Sequence, residues 1–583
     1  MKGFFKIMLA TMAGMLLLGV LLFLLLIVVG FASMSGSPAV KPNSVLVLDV
    51  RNTEVQERVA EDNPYLLFAA DQGMHYVGLN DWDAVLDKAA EDRNIRGISL
   101  ELGSLYASQA SLEAMRDALL RFKKSGKFVY AYGISMSQGD YYLATAADSI
   151  YLHPMGSLMF QGLSAQVLYY KEMLDKLHVE VQVVRHGTYK SAVEPFISNR
   201  MSEANREQVT EYLQSIWGVV CRDIAAARKL DEKSVRVVAD NLMLFDNPQA
   251  ALSTRFVDGI AYEDAYRSLL KTRVSARDTA KVGEVAYADY LNALSSSSSA
   301  PYKVAVVYAS GTITDGEGGP EEIGSDMLET LRKLRKEKSV KAVVLRINSP
   351  GGSGLMSEQI WREVTLLKRD RPVIVSMGDY AASGGYYIAC AADRIVAEPM
   401  TVTGSIGVFG ILPNIGKTLS DKLGVRVETV RTNTSSDWMS GMRSMTAGEY
   451  EIMQQSVDRF YDTVVRRVAD GRRLGVKYVD QIAQGRVWTG RDALGKGLVD
   501  TLGGLDLAIR IAAEQAKLSK YTVWERPVME SFFTRMLSSL SGARAARVEQ
   551  AVPALFAPYV EAEKALRGRS GVQAMLPYRI TIQ

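Results

Sequence analysis

The chain contains much of itself twice, and that duplication limits its fold more than any other feature. The segment ISMSQGDYYLATAAD (134–148) returns as GDYAASGGYYIACAAD (378–393), with Tyr141–Tyr142 falling on Tyr386–Tyr387 at an offset of 245 positions. At the same offset IRGISL (95–100) matches VKAVVL (340–345), Gly133 matches Gly378, Asp148 matches Asp393, Pro154–Met155 matches Pro399–Met400 and Gly162 matches Gly407. One residue is then gained, so that LDKLHVEVQVVR (174–185) pairs with SDKLGVRVETVR (420–431). Upstream, PNSVLVLDV (42–50) answers PYKVAVVYA (301–309). Solenoids and propellers repeat every ~20–50 residues, so a period this long means a duplicated domain.

Each copy alternates short β-branched runs with longer amphipathic stretches. In the second copy these are VAVVYA, a helix around Ser325–Glu337, AVVLRI, a helix around Ser357–Lys368, VIVSMG, a helix after Gly384, and RIVAEP. That order predicts an α/β protein, with βαβ units built twice around largely parallel sheets. The predicted division gives 35–293 to the first repeat, 294–302 to a Ser-rich linker, 303–525 to the second repeat and 526–583 to a helical tail. Within the first repeat, a charged helical stretch at about 199–274 reads as an insert extending outward.

Residues 7–32 form an uncharged apolar run preceded by Lys2 and Lys6. A spanning helix needs about 20 apolar residues, whereas a cleavable signal has an apolar core of about 7–15. Residues 1–34 are therefore expected to be an uncleaved transmembrane anchor, the alternative being a signal cleaved near Ala32–Ser33. The two lysines predict a cytoplasmic N-terminus, with the rest of the chain across the membrane. Composition argues against other partners. A net charge of +3 over 583 residues offers no footprint for nucleic acid. Cys221 and Cys390 sit among apolar residues in different halves and read as buried thiols, and neither has metal-ligand spacing.

The copies differ most where chemistry could sit. RINSPGGS (346–353) follows a strand and precedes a helix, and its twin ELGSLYAS (101–108) carries Tyr106–Ala107 in place of Gly351–Gly352. Ser383, ahead of Gly384–Gly385, falls opposite Gln138, and TGSIG (403–407) falls opposite LMFQG (158–162). Glycines at such turns let backbone N–H groups point into open space, as an oxyanion requires. A serine at a helix start is either a cap or, given a base, a nucleophile. Of His75, His153, His178 and His186, only His186 is a candidate base, because it lies in RHGTYKSAVEPF (185–196). The same stretch carries Lys190, where the second copy has Ser435–Ser436. Lysine in the first copy and serine in the second are complementary parts, although a lysine is more often a solvated charge.

INSPGGS, ASGGYYIACAAD and TGSIG in the second copy, with GTYKSAVEPF in the first, together resemble the long tandem form of the signal peptide peptidase A family over nearly the whole chain. The resemblance implies two ClpP/crotonase-like domains, a Ser–Lys serine protease without cofactor or metal, and a homotetrameric ring. By motif it assigns Ser383 as nucleophile, Lys190 as general base and Ser405 as the hydroxyl that orients the lysine. Gly352 and Gly384 become the oxyanion donors, and Val408, Phe409, Ile411 and Leu412 are expected to line substrate pockets. Substrates would be signal-peptide remnants and other apolar peptides, cut at the extracytoplasmic face of the inner membrane. Because a lysine of pKa about 10.4 is protonated at neutral pH, the dyad requires a buried Lys190 within about 3.2 Å of Ser383 and unpaired with Glu194. Two readings compete with it. One is a crotonase-type acyl-CoA enzyme, which needs neither Ser383 nor Lys190. The other is a non-catalytic membrane scaffold.

Overall fold

A computed structural model of the chain describes residues 40–59, 73–275, 283–294, 300–319 and 321–528, the backbone of 572–575, and a few isolated positions before residue 40. The expected N-terminal anchor and most of the expected helical tail lie outside the described residues. Among those described, no helix is long and apolar enough to cross a membrane.

The β-branched runs form the centres of two sheets, where both faces are covered and near-continuous apolar sequence is the rule for parallel strands. In the first repeat the order is Gly283–Ala286, Ser44–Asp49, Ile95–Leu102, Phe128–Met136, Ser149–Leu158 and Gly259–Ile260, all parallel. The second repeat places Lys303–Ser310, Val340–Ser349 and Val373–Ala382 side by side in the same way. Thr522–Arg526 lies outside Lys303–Ser310, while Val402–Gly404 and then the antiparallel Val487–Thr489 extend the other side. Helices Ser325–Lys336, Gly354–Leu367 and Gly384–Ala389 lie where the amphipathic pattern put them.

The stretch 199–274 is helical, but it does not extend outward as expected. Helix Glu203–Arg228 buries Val209, Tyr212, Ile216, Val219, Val220 and Ile224 in the first repeat's core. A second 26-residue helix, Ala447–Arg472, buries Val457, Tyr461, Val464 and Val465 in the core of the second repeat. The two helices have equal length and occupy equivalent places in the two cores, so the stretch belongs to the repeat.

Several contacts lock the halves together. Strand Glu180–His186 of the first repeat pairs antiparallel with Val408–Asn414 of the second, from Val408 opposite His186 to Asn414 opposite Glu180. Elsewhere Arg346, only 3% exposed, donates to both oxygens of Glu57 at 2.8 and 3.0 Å. Asp379 also accepts from Ser111 N and Oγ at the start of helix Gln109–Lys123. Removing one partner of such a buried pair costs about 3–5 kcal/mol. The relative position of the repeats is therefore fixed, and any site spanning them is pre-organised.

Candidate active site

Strand Val373–Ala382 turns into helix Gly384–Ala389 at a single residue, Ser383. Its backbone sits at φ 58°, ψ −113°, a conformation that costs a residue with a side chain about 1–3 kcal/mol. The surroundings hold it there: Ser383 N donates to Gly404 O at 2.8 Å, and Ser383 O accepts from Tyr387 N at 2.9 Å. Its side chain makes no cap bond to the helix. The capping role is thus vacant, and the hydroxyl points elsewhere.

It points at a lysine from the other repeat. Strand Glu180–His186 delivers the turn that carries Lys190, and the second repeat and helix Glu203–Arg228 together clamp that turn. Tyr189 N donates to Gln484 O at 2.8 Å, and Gln208 Nε2 donates to Tyr189 O at 2.9 Å and Ser191 Oγ at 3.0 Å. Gly485, at φ 77°, passes so close that a Cβ there would lie 2.7 Å from Lys190 Cα, so no other residue fits. Lys190 Nζ then lies 2.7 Å from Ser383 Oγ and 3.0 Å from both Ser405 Oγ and Ser405 O. Lys190 and Ser405 are completely buried and Ser383 is 3% exposed.

Electrostatics follow from that burial. With no carboxylate beside it among the described residues, desolvation alone pushes the Lys190 amine well below its usual pKa of 10.5. Glu194, four residues on, turns to the start of helix Glu203–Arg228, where it accepts from Asn205 Nδ2 at 3.0 Å and Ser202 N at 3.3 Å. The histidines stand apart from the serine. His178 Nδ1 is 2.9 Å from Asp421, and His186 Nδ1 is 2.8 Å from Asp458 with its ring stacked on Tyr461. Both aspartates are distant in sequence, so neither pair was readable there. Neither histidine hydrogen-bonds Ser383.

The glycine turns flank the serine. Gly352 lies in strand Gly351–Ser353 at φ 150°, where a Cβ would stand 2.0 Å from Ile313 O. Gly384 opens its helix, and first-turn N–H groups have no acceptor within a helix.

Val408 and Phe409 correct the expectation of open pockets. Both side chains are fully buried, and Phe409 packs with Leu174, Ala192, Val193 and Phe196, its ring centre 5.9 Å from Lys190 Nζ. Successive strand residues point to opposite faces, and here both faces are covered. These two side chains help keep the lysine dry. Ile411 and Leu412 border a cavity of only about 10 Å³. What the cleft does offer is backbone: residues 572–575 run antiparallel between Gly351–Ser353 and Val408–Asn414, with Gly352 opposite Ala574 and Phe409 opposite Gln573. Sequence reasoning missed Gly485, Asn205 and Gln208, the residues that seat the lysine turn; each is an ordinary residue type whose role exists only through a long-range approach.

A model of peptidase family S49 matches residues 121–277 and 365–519, one stretch in each repeat and more than half the chain. This chain belongs to peptidase family S49. Protease 4 of Salmonella typhi is 38% identical over 491 residues, covering 82% of this chain and 79% of that protein. Protease 4 of Haemophilus influenzae is 38% identical over 444 residues, 74% of this chain and 71% of its own. The chloroplastic serine protease SPPA of Arabidopsis thaliana is 33% identical over 441 residues, 74% of this chain and 64% of its own. The chain is a serine peptidase of the long tandem S49 form, two α/β repeats joined in one polypeptide. The acyl-CoA and scaffold readings fall with that assignment.

Proposed function

We propose that this S49 chain is a membrane-anchored endopeptidase in which Ser383 and Lys190 form a catalytic dyad that degrades apolar peptides, signal-peptide remnants foremost, at the extracytoplasmic face of the inner membrane. The observation that carries the reading is the 2.7 Å approach of a fully buried, carboxylate-free Lys190 Nζ to Ser383 Oγ. A neutral amine has two N–H bonds and one lone pair. The two hydrogens go to Ser405 O and Ser405 Oγ, which leaves the lone pair aimed at the Ser383 hydroxyl.

As Ser383 Oγ bonds to the scissile carbonyl carbon, its proton passes to Lys190 Nζ. The carbonyl oxygen becomes an oxyanion facing the N–H groups of Gly352 and Gly384; losing one such donor typically costs about 10²–10³ in kcat. Collapse breaks the C–N bond, and the lysinium gives its proton to the departing amine. Water then attacks the Ser383 ester, Lys190 takes the water's proton, and collapse returns that proton to Ser383 and frees the acid. The binding mode is supported by residues 572–575, which already lie in the cleft as an antiparallel strand; main-chain pairing of this kind suits a peptide of varied apolar sequence once it is extended. Anchoring is supported by the apolar run at 7–32.

The test is fluorophosphonate labelling of the full chain, mapped by mass spectrometry, alongside hydrolysis of an apolar signal-sequence peptide. Label on Ser383, lost together with hydrolysis in Ser383→Ala, is expected. Hydrolysis that survives Ser383→Ala overturns the assignment.

A further inference from the structure

Helix Ala447–Arg472 lays one face along the strand that leads to Lys190. Residues 450, 454, 458 and 461 are spaced four, four and three apart and so share that face. Each of them meets strand Glu180–His186. Tyr450 Oη donates to Val183 O and Gln454 Nε2 donates to Arg185 O, both at 3.1 Å. Asp458 Oδ1 lies 2.8 Å from His186 Nδ1, and the His186 ring stacks on Tyr461 with ring centres 3.8 Å apart. His186 stands four residues before Lys190, at the entrance to its turn. Tyr461 is 2% exposed, so the histidine lies over a buried ring.

The hydroxyl of the same tyrosine holds the far end of that turn. Tyr461 Oη donates to Asp480 Oδ1 at 2.6 Å and accepts from Gln484 N at 3.3 Å and Gln484 Nε2 at 3.0 Å. Burial and the bond to Asp480 push the phenol up in pKa, so it stays protonated and donates. These bonds hold Gln484 at φ 53°, in the left-handed region that glycine adopts far more readily than glutamine. Residues 484–486 then form a bracket. Gln484 O accepts from Tyr189 N at 2.8 Å, Gly485 N donates to Ile406 O at 2.7 Å, and Arg486 O accepts from Ser405 N at 2.7 Å. The lysine turn and the Ser405 loop thus hang on three consecutive residues. Gly187 lets the turn close onto them, since a Cβ there would stand 2.6 Å from Gln484 O.

We infer that Tyr461 is a positioning residue of the dyad: its ring seats His186, its hydroxyl seats Gln484, and the two contacts together set the register of the Lys190 turn against Ser405 and Ser383. Neither contact reaches the reacting atoms. Lys190 Nζ meets Ser383 Oγ at 2.7 Å and two Ser405 oxygens at 3.0 Å. Such a constellation works only when held to within about 0.5 Å, and a misplacement of about 1 Å can cost about 10²-fold in rate. A tyrosine that grips both ends of the lysine turn supplies that constraint. The inference rests on the dyad reading and names what keeps the dyad in register.

The test uses the full chain in detergent micelles and reads two things: hydrolysis of an apolar signal-sequence peptide, and the pH dependence of Ser383 acylation by a fluorophosphonate. Tyr461→Phe keeps the stack on His186 and removes the hydroxyl. It should lower kcat about 10-fold with KM little changed. It should also move the ionisation limb of acylation towards 10.5, as the loosened lysine turn admits water. Gln484→Ala should act in the same way, and the double variant should be no slower than the slower single one, because both remove the same link. His186→Phe, which keeps the stack, should retain the native kcat where His186→Ala does not; this pair decides the question even where Tyr461→Phe fails to fold. Tyr141→Phe deletes a buried hydroxyl that donates to Phe256 O at 2.8 Å in the first repeat. It controls for lost stability and should leave kcat and the limb in place. A native kcat and unmoved limb in Tyr461→Phe, effects that multiply in the double variant, or equal rates in the two His186 variants overturn the inference while the dyad stands. Hydrolysis that survives Lys190→Ala overturns the dyad, and the inference with it.

Discussion

The turn at Ser383 and the turn at Gln138 descend from one sequence, and the chain has spent them differently. At Gln138 the helix is conventionally ended. Ser137 accepts from Asp140 N and Asp140 accepts from Ser137 N, a reciprocal cap of helix Gln138–Ala144. The Gln138 amide accepts from Gly162 N at 2.9 Å, and Asp140, fully buried, also accepts from Ser104 N and Leu105 N. The backbone donors of that turn are therefore consumed internally by a carboxylate. At Ser383 the helix has no side-chain cap and the serine backbone is strained. Gly385 stands where the first repeat has Asp140, and a Cβ on it would meet Ser349 O at 2.8 Å. A cap is worth about 0.5–2 kcal/mol. One repeat keeps that stability, and the other forgoes it and leaves its serine hydroxyl to meet Lys190 instead of the helix, the usual signature of a working site.

The contrast can be broken in order of effect. Lys190→Ala should lower kcat for peptide hydrolysis by about 10³-fold or more while the assembled mass is unchanged. Arginine in its place should not rescue, being always charged. Ser405→Ala, which removes one of the two acceptors holding the amine, should reduce kcat by about 10-fold with KM little changed, as a lost hydrogen bond of about 1.4 kcal/mol would.

Stability gives a third test. The folded Lys190 pKa lies below the unfolded value of 10.5, so between the two the unfolded chain binds the extra proton and stability rises with pH. The destabilisation is greatest at and below the depressed pKa and vanishes above 10.5. Lys190→Met should therefore raise Tm at neutral pH, with the gap to the native chain closing as pH approaches 10.5. The smallest effect should come from Gln138→Ser. It loses the amide's hydrogen bonds, about 1 kcal/mol, but gains no fluorophosphonate label in the first repeat, because no lysine stands beside it and the donors remain occupied by Asp140.

The duplication, the parallel α/β order and the positions of Ser383 and Lys190 were all legible in sequence, because each rests on local pattern or on the difference between two aligned copies. The roles of Val408 and Phe409 were not: apolar residues after a glycine turn read equally as pocket or as core, and only the second sheet layer decides. The 199–274 stretch misled for a related reason. Glu203–Arg228 and Ala447–Arg472 agree at too few positions to be paired by inspection, and only their place in each core shows that they correspond. Gly485 was silent because its neighbour, Lys190, lies about half the chain away.

The central claim is that an amine from one repeat, kept neutral by burial, activates a hydroxyl from the other. The pH dependence of the second-order rate of Ser383 acylation by a fluorophosphonate reads that amine directly. The rate should climb with pH through one ionisation lying well below 10.5, and the climb should disappear in Lys190→Ala. A limb centred near 10.5, or one that persists when the lysine is gone, would contradict the account.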